Sequence, residues 1–215
     1  MNKIILDLCG GTGAWSKPYK DAGYDVRVIT LPEYDILKTE LRYNYEDMIF
    51  KGAGIDMVVG VADIYGILAA PPCPMFSFAR TNAKNPRDLE SGMEIVSACL
   101  NIIWECQYKI KSDVQKVSPL KFWALENPNG MLKWFLGKPA FQFNPYDFGD
   151  DYKKNTHLWG LFNELEKNPI ECNQLKFDMM KTKDIHGEFY GKLTRKERRA
   201  ITPTGFANAF FKANQ

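Results

Sequence analysis

Apolar residues along this chain gather in short blocks. IILDL (4–8), DVRVIT (25–30), YGILAA (65–70) and FWALEN (122–127) are dominated by them. Such runs, separated by helical stretches, predict strands of a parallel sheet covered on both faces. SKPYKDAGY fits a short helix ending near Gly23. Residues 85–110 carry the longest helical pattern. There Met93, Ile95, Val96, Ala98, Cys99, Ile102, Ile103 and Cys106 recur at three- and four-residue steps. Asn85-Pro86 reads as its start. NGMLKWFLG predicts a shorter helix that stops near Gly137. After Phe141 the pattern changes. FQFNPYDFG and THLWGLF read as strands, and TPTGFANAFFKAN as a final helix that TPTG caps. The expected fold class is α/β.

Composition adds limits. At 215 residues, 45% hydrophobic and 25% charged, the chain suits one sizeable soluble core. No apolar run approaches the roughly 18 residues of a membrane span. MNKIILDLCGG turns acidic too soon for a signal peptide, so the expected location is cytoplasmic. Five cysteines, an odd number without a CxxC pair, argue against a disulfide framework and a thiolate zinc site. His157 and His186 show no ligand spacing, so no metal is expected. The net charge of +2 announces no partner. Its distribution says more: Lys192, Arg195, Lys196, Arg198 and Arg199 crowd around one acid, Glu197. Such a run is either a solvated helix face or a phosphate-contacting edge.

Two strand ends carry candidate chemistry. LDLCGGTGAW places Asp7 at the end of the first strand and Gly10, Gly11 and Gly13 in the turn after it. Glycines there permit tight turning and close approach of a ligand. The turn is neither a GxGxxG fingerprint nor a phosphate loop. A ribose-binding acid is expected roughly 20 residues past such glycines. Glu33 stands 20 residues after Gly13, with Asp35 just beyond. Either carboxylate also suits an ordinary solvated loop.

AAPPCPMFSFAR follows the third strand, and Glu126 ends the fourth. In open α/β sheets, sites form beyond the carboxyl ends of strands. Cys73 has three readings there: small buried filler, metal ligand or nucleophile. The prolines stiffen its loop. Missing ligand spacing disfavours the metal, and the strand-end loop favours the nucleophile. Cys99 and Cys106, on the apolar face of a helix, read as core. A carboxylic acid ending a buried strand needs a partner, and protonated it serves as a proton donor.

The motifs DLCGGTGAW, PPCPMFSFAR, LENPNGML, YDFGDDYKKNTHLWG and TPTGFANAFF resemble, in order, those of the DNA (cytosine-5)-methyltransferases, most closely the short bacterial and phage forms. The resemblance covers nearly the whole chain except about 163–200. It implies a Rossmann-like methyltransferase fold with a very small target-recognition insertion. The catalytic domain would span 1–162 and 201–215, and the reduced recognition region 163–200. The implied cofactor is S-adenosyl-L-methionine (SAM) and the implied partner is duplex DNA, with no membrane, no metal and a monomeric chain.

By the same resemblance Cys73 adds to C6 of a flipped-out cytosine and Glu126 acts at N3. Lys154 and Thr156 occupy the usual arginine motif, with Lys153 and Asn155 as register alternatives. Asp7, Cys9, Gly11, Gly13 and Trp15 form the cofactor turn. Glu33 is the ribose ligand, Asp35 and Ile36 flank the adenine, and Pro72, Phe206, Ala207 and Asn208 complete the pocket. Ser77, Arg80, Lys153, Lys192 and Arg195 would contact DNA.

The chain departs from the family pattern in several places. Cys9 stands where many members have Phe, and Ala14 where many have Gly. PCQ is PCP, through Pro74. Lysine replaces the arginine fork. Only residues 161–201 separate HLWG from TPTG, which implies a short or relaxed recognition sequence. Two alternatives remain open: the same chemistry on RNA, single-stranded or unusual phage DNA, and a non-catalytic DNA-binding protein on this scaffold.

Overall fold

The computed structural model describes residues 3–41, 47–80, 84–108, 120–172 and 191–215. A six-stranded sheet forms its centre. The strands are β1 (Ile4–Leu8), β2 (Asp25–Ile29), β6 (Ile64–Ala69), β7 (Phe122–Pro128), β8 (Phe141–Phe143) and β9 (Thr156–Leu161). They lie in the order β2-β1-β6-β7-β9-β8. β2, β1, β6 and β7 are mutually parallel, whereas β9 runs antiparallel to both of its neighbours. The first four match the expected apolar runs to within a residue at each end.

The two faces of the sheet bury different halves of the same strands. Ile4, Leu6 and Leu8 of β1 face one cluster, and Ile5 faces the other. This is the two-residue period of a strand. With both faces covered, all five β1 residues are buried, which explains their unbroken apolar character. The first face packs on α2 (Leu89–Tyr108) through Val96, Cys99, Ile102, Ile103 and Cys106. The second packs on α1 (Lys17–Asp21) and the C-terminal helix, residues Thr204–Ala213.

Between β2 and β6 lies an unforeseen element. β3 (Glu40–Leu41), β4 (Asp47–Phe50) and β5 (Met57–Gly60) form a small antiparallel sheet. Met48, Phe50 and Val59 join the first core cluster. The sequence pattern predicts no element there.

Several helix boundaries also differ. α2 starts at Leu89 rather than at Asn85-Pro86. Asp88 accepts from the Ser91 N–H (3.0 Å) and hydroxyl (2.7 Å), and so caps the helix. FQFNPYDFG is only three residues of strand, followed by a 3-10 turn at Pro145–Phe148. α3 (Lys133–Leu136) is a single turn before Gly137. α4 (Arg195–Ala200) precedes α5 (Thr204–Ala213). TPTG does not cap α5. Asp150, far away in sequence, accepts from the Gly205 N–H at 2.8 Å. The recognition region expected at 163–200 lies partly outside the described residues.

Candidate active site

The strand order reverses at β1 and β6, because the chain leaves β1 for β2 on one side and returns to β6 on the other. A crevice at such a switch point, beyond the carboxyl ends, is where open α/β sheets bind ligands. Both expected motifs emerge there.

On the β1 side, Asp7 is fully buried, and the Ser16 hydroxyl donates to its Oδ2 at 2.5 Å. Its Oδ1 has no partner among the described residues. Burial pushes its pKa up to about 6, against a smaller lowering by Ser16. Any Cβ on Gly10 would run into the Asp7 carboxylate. Gly11 and Gly13 have φ of +56° and +70°, a region costly for other residues. Cys9 also has positive φ, +58°. Its N–H donates to Ile29 O (2.7 Å), and its thiol hydrogen-bonds with that of Cys99.

The rest of the expected cofactor set divides by depth. Trp15, Phe206 and Ala207 are buried. The Trp15 ring lies 5.6 Å from Phe206 and 5.4 Å from Phe210, so it ties the glycine turn to α5. Asn208 and Pro72 are exposed. Glu33 is exposed in the turn after β2. Asp35 accepts from the Leu37 N–H (3.1 Å) and faces Lys38 (3.6 Å), while Ile36 packs into the core.

On the β6 and β7 side, two loops are fastened into one unit. Asn127 Nδ2 donates to Pro71 O (3.0 Å), Met131 N–H donates to Phe76 O (2.8 Å), and Ser77 bridges Gly130. A Cβ on Gly130 would strike the Phe76 carbonyl. Arg87 clasps the loop after Cys73 by donating to Met75 O (2.8 Å) and Ser77 O (2.9 Å). Arg80 donates to Asn85 O (3.1 Å) and Pro86 O (3.2 Å), so those donors serve the loop itself. The Ser77 hydroxyl accepts from the Ala79 N–H.

Cys73, Glu126 and Lys154 converge here. Lys154 Nζ stands 3.8 Å from Glu126 Oε1, and both side chains are about 15% exposed. Burial raises the pKa of Glu126, and Lys154 opposes the rise. The Cys73 thiol is pushed up by burial and then by the Glu126 charge, with Lys154 and Arg199 pulling it down. Thr156 is buried, and its hydroxyl donates to Lys154 O (2.8 Å), so it holds the lysine's backbone. Lys153 and Lys192 are exposed. Arg195 opens α4, and its side chain lies outside the described atoms.

Sequence reasoning overlooked four participants. Ser16 stands just before a helix, a position rich in serine caps, but here its hydroxyl serves Asp7 instead. Asn127 and Arg87 are loop clasps visible only in three dimensions. Arg199 reads as part of a solvated or phosphate-contacting run, yet α4 brings it within electrostatic reach of Cys73. Among the described residues, no group of three or more His, Cys, Asp or Glu is placed to hold a metal, and no helix is long and apolar enough to cross a membrane.

No family model matches the chain, and no curated protein matches it. The arrangement therefore stands on its own geometry. A thiol and a carboxyl meet at neighbouring strand ends, one strand away from a glycine turn with an unpaired buried carboxylate oxygen. Such a site suits nucleophilic addition assisted by a proton donor.

Proposed function

We propose that this protein methylates C5 of cytosine in DNA, using SAM, on a Rossmann-like methyltransferase fold. The observation that carries the reading is the meeting of Cys73, Glu126 and Lys154 at the carboxyl ends of β6, β7 and the start of β9. The parallel core with its switch point between β1 and β6 fits that fold.

The glycine turn fits the cofactor. Gly11 has open space where a side chain would stand, and Asp7 Oδ1 awaits a donor. Asp7, Gly11 and Gly13 would hold the group, with Glu33 reaching a ribose hydroxyl and Asn208 at the α5 side. When bound, SAM supplies an electrophilic methyl group on a sulfonium.

The chain's own residues prepare the base. Cytosine C5 is a weak nucleophile. The Cys73 thiol loses its proton to solvent, and the thiolate adds to C6, forming an S–C6 bond and moving the C5–C6 π pair toward C5 and N3. Glu126 in its protonated form donates a hydrogen bond or proton to N3, where negative charge would otherwise collect. Burial raises its pKa, which eases its protonation as negative charge builds at N3. Once C5 carries the methyl group, water takes the C5 proton, the C5–C6 double bond re-forms and the S–C6 bond breaks to release the thiolate. Lys154 positions Glu126 and moderates the negative charge beside the thiolate. The target base leaves the duplex to reach this pocket.

Transfer of labelled methyl from SAM into DNA tests the proposal, with base analysis to locate the label. The expected result is 5-methylcytosine from the wild type and none from Cys73→Ala. Label on another atom, or transfer undiminished in Cys73→Ala, overturns it.

A further inference from the structure

A cavity of about 470 Å³ opens between α3, β8 and the start of β9. None of its described lining residues is acidic; Lys133 and Lys138 supply positive charge, and Asn129 and Asn155 supply amides. The Asn129 N–H donates to Asn155 O (2.9 Å), which joins two walls, and Trp159 Nε1 donates to Gly137 O (3.0 Å), which pins the end of α3. His157 lines the cavity at only 3% exposure, and its Nδ1 has no partner among the described residues.

The rim adds a second feature. Trp134 lines the cavity and is 65% exposed, and Phe78 beside it is 43% exposed. Their rings lie 5.9 Å apart, and Lys133 Nζ sits 5.5 Å from the Phe78 ring centre. Phe78 belongs to the loop that begins at Cys73, so the aromatic surface leads from the nucleophile's loop to the basic cavity. Exposed aromatic rings next to lysines form the platform on which unpaired bases stack. The cavity is also of the size that holds a small polar ligand.

We infer that this cavity and its rim take one unpaired nucleotide of a nucleic-acid strand, its phosphate on Lys133 and Lys138 and its base against Trp134. The inference rests on the nucleic-acid half of the proposed function and is independent of methyl transfer. A base inside a duplex presents no face to Trp134, so the site selects an unpaired segment.

Fluorescence anisotropy with an end-labelled single-stranded oligonucleotide over a range of salt tests this. Trp134→Ala weakens binding at least about fivefold, and Trp134→Phe restores most of it. The double variant Lys133→Ala/Lys138→Ala reduces the slope of log affinity against log salt by about 0.7–1.4, the loss of one or two phosphate contacts. Circular dichroism of each variant confirms the fold. Wild-type affinity and salt slope in both sets of variants overturn the inference. A mononucleotide that binds as tightly as the oligonucleotide also overturns it, by making a free nucleotide the occupant. If the wild type transfers no methyl group yet the Trp134 and lysine effects appear, the reaction assignment fails and this site stands.

Discussion

Asp7→Asn separates the cofactor turn's stability from its function. Asp7 is buried with one oxygen bonded to Ser16 and the other unmet. Its folded pKa of about 6 lies above the ordinary 3.8, so the folded protein holds this proton more tightly than the unfolded chain does. A carboxyl raised in the folded state costs nothing below pH 3.8. The cost grows as pH rises through the interval and is complete above about 6. For this displacement it amounts to about 3 kcal/mol. Asparagine keeps the acceptor for Ser16 and carries no charge, so the variant escapes the penalty. In urea unfolding at fixed ionic strength, the stability of Asp7→Asn relative to wild type should improve by about 3 kcal/mol between pH 3.5 and pH 7.5. The same variant should bind SAM about 10- to 100-fold more weakly, because it loses a hydrogen bond to a charged oxygen. Stability and affinity then move in opposite directions, as at other strained functional sites. Parallel stability curves for the two proteins across this pH range would refute the reasoning.

Burial raises the Cys73 thiol's pKa most and neighbouring charges adjust it, so two variants displace it in opposite senses. Glu126→Gln removes a charge that raises the thiol's pKa, so alkylation of Cys73 at pH 8, followed by peptide mass spectrometry, should quicken. Lys154→Met removes a charge that lowers it, so alkylation should slow; the reverse order would contradict the assignment. Despite its more available thiolate, Glu126→Gln should lose methyl transfer by about 10²–10⁴-fold, through loss of the proton donor. Gly10→Ala should drive a methyl group into the Asp7 carboxylate and lower Tm by roughly 2–10 °C, and an unchanged Tm would show that the turn relaxes freely.

Much of the sheet was legible because its strands are buried on both faces. Ile4–Leu8 and Ile64–Ala69 cannot be confused with surface. β4 and β5 escaped notice because they are four residues each and half exposed, although Gly52 and Gly54 between them mark a hairpin turn. The start of α2 was misplaced because Asn85-Pro86 looks like a helix start, whereas Asp88 wins through its two bonds to Ser91. No local reading could find the cap of α5, since Asp150 lies 55 residues from Gly205. In the site, placement at strand ends marked Asp7, Cys73 and Glu126. The clasp from Asn127 to Pro71 and the reach of Arg199 toward Cys73 depend on packing. Phe206 carries the same lesson: the motif marks it, and the fold places it in the core, with its ring 4.1 Å from Phe143.

The covalent step gives the most direct test of the central claim. Fluorine at C5 cannot leave as a proton does, so a substrate with 5-fluorocytosine arrests the reaction after addition and methylation. Denaturing mass spectrometry of the protein incubated with SAM and such DNA should show a stable adduct mapped to Cys73 and absent in Cys73→Ala. A wild-type protein that binds both SAM and this DNA yet forms no adduct would contradict the account.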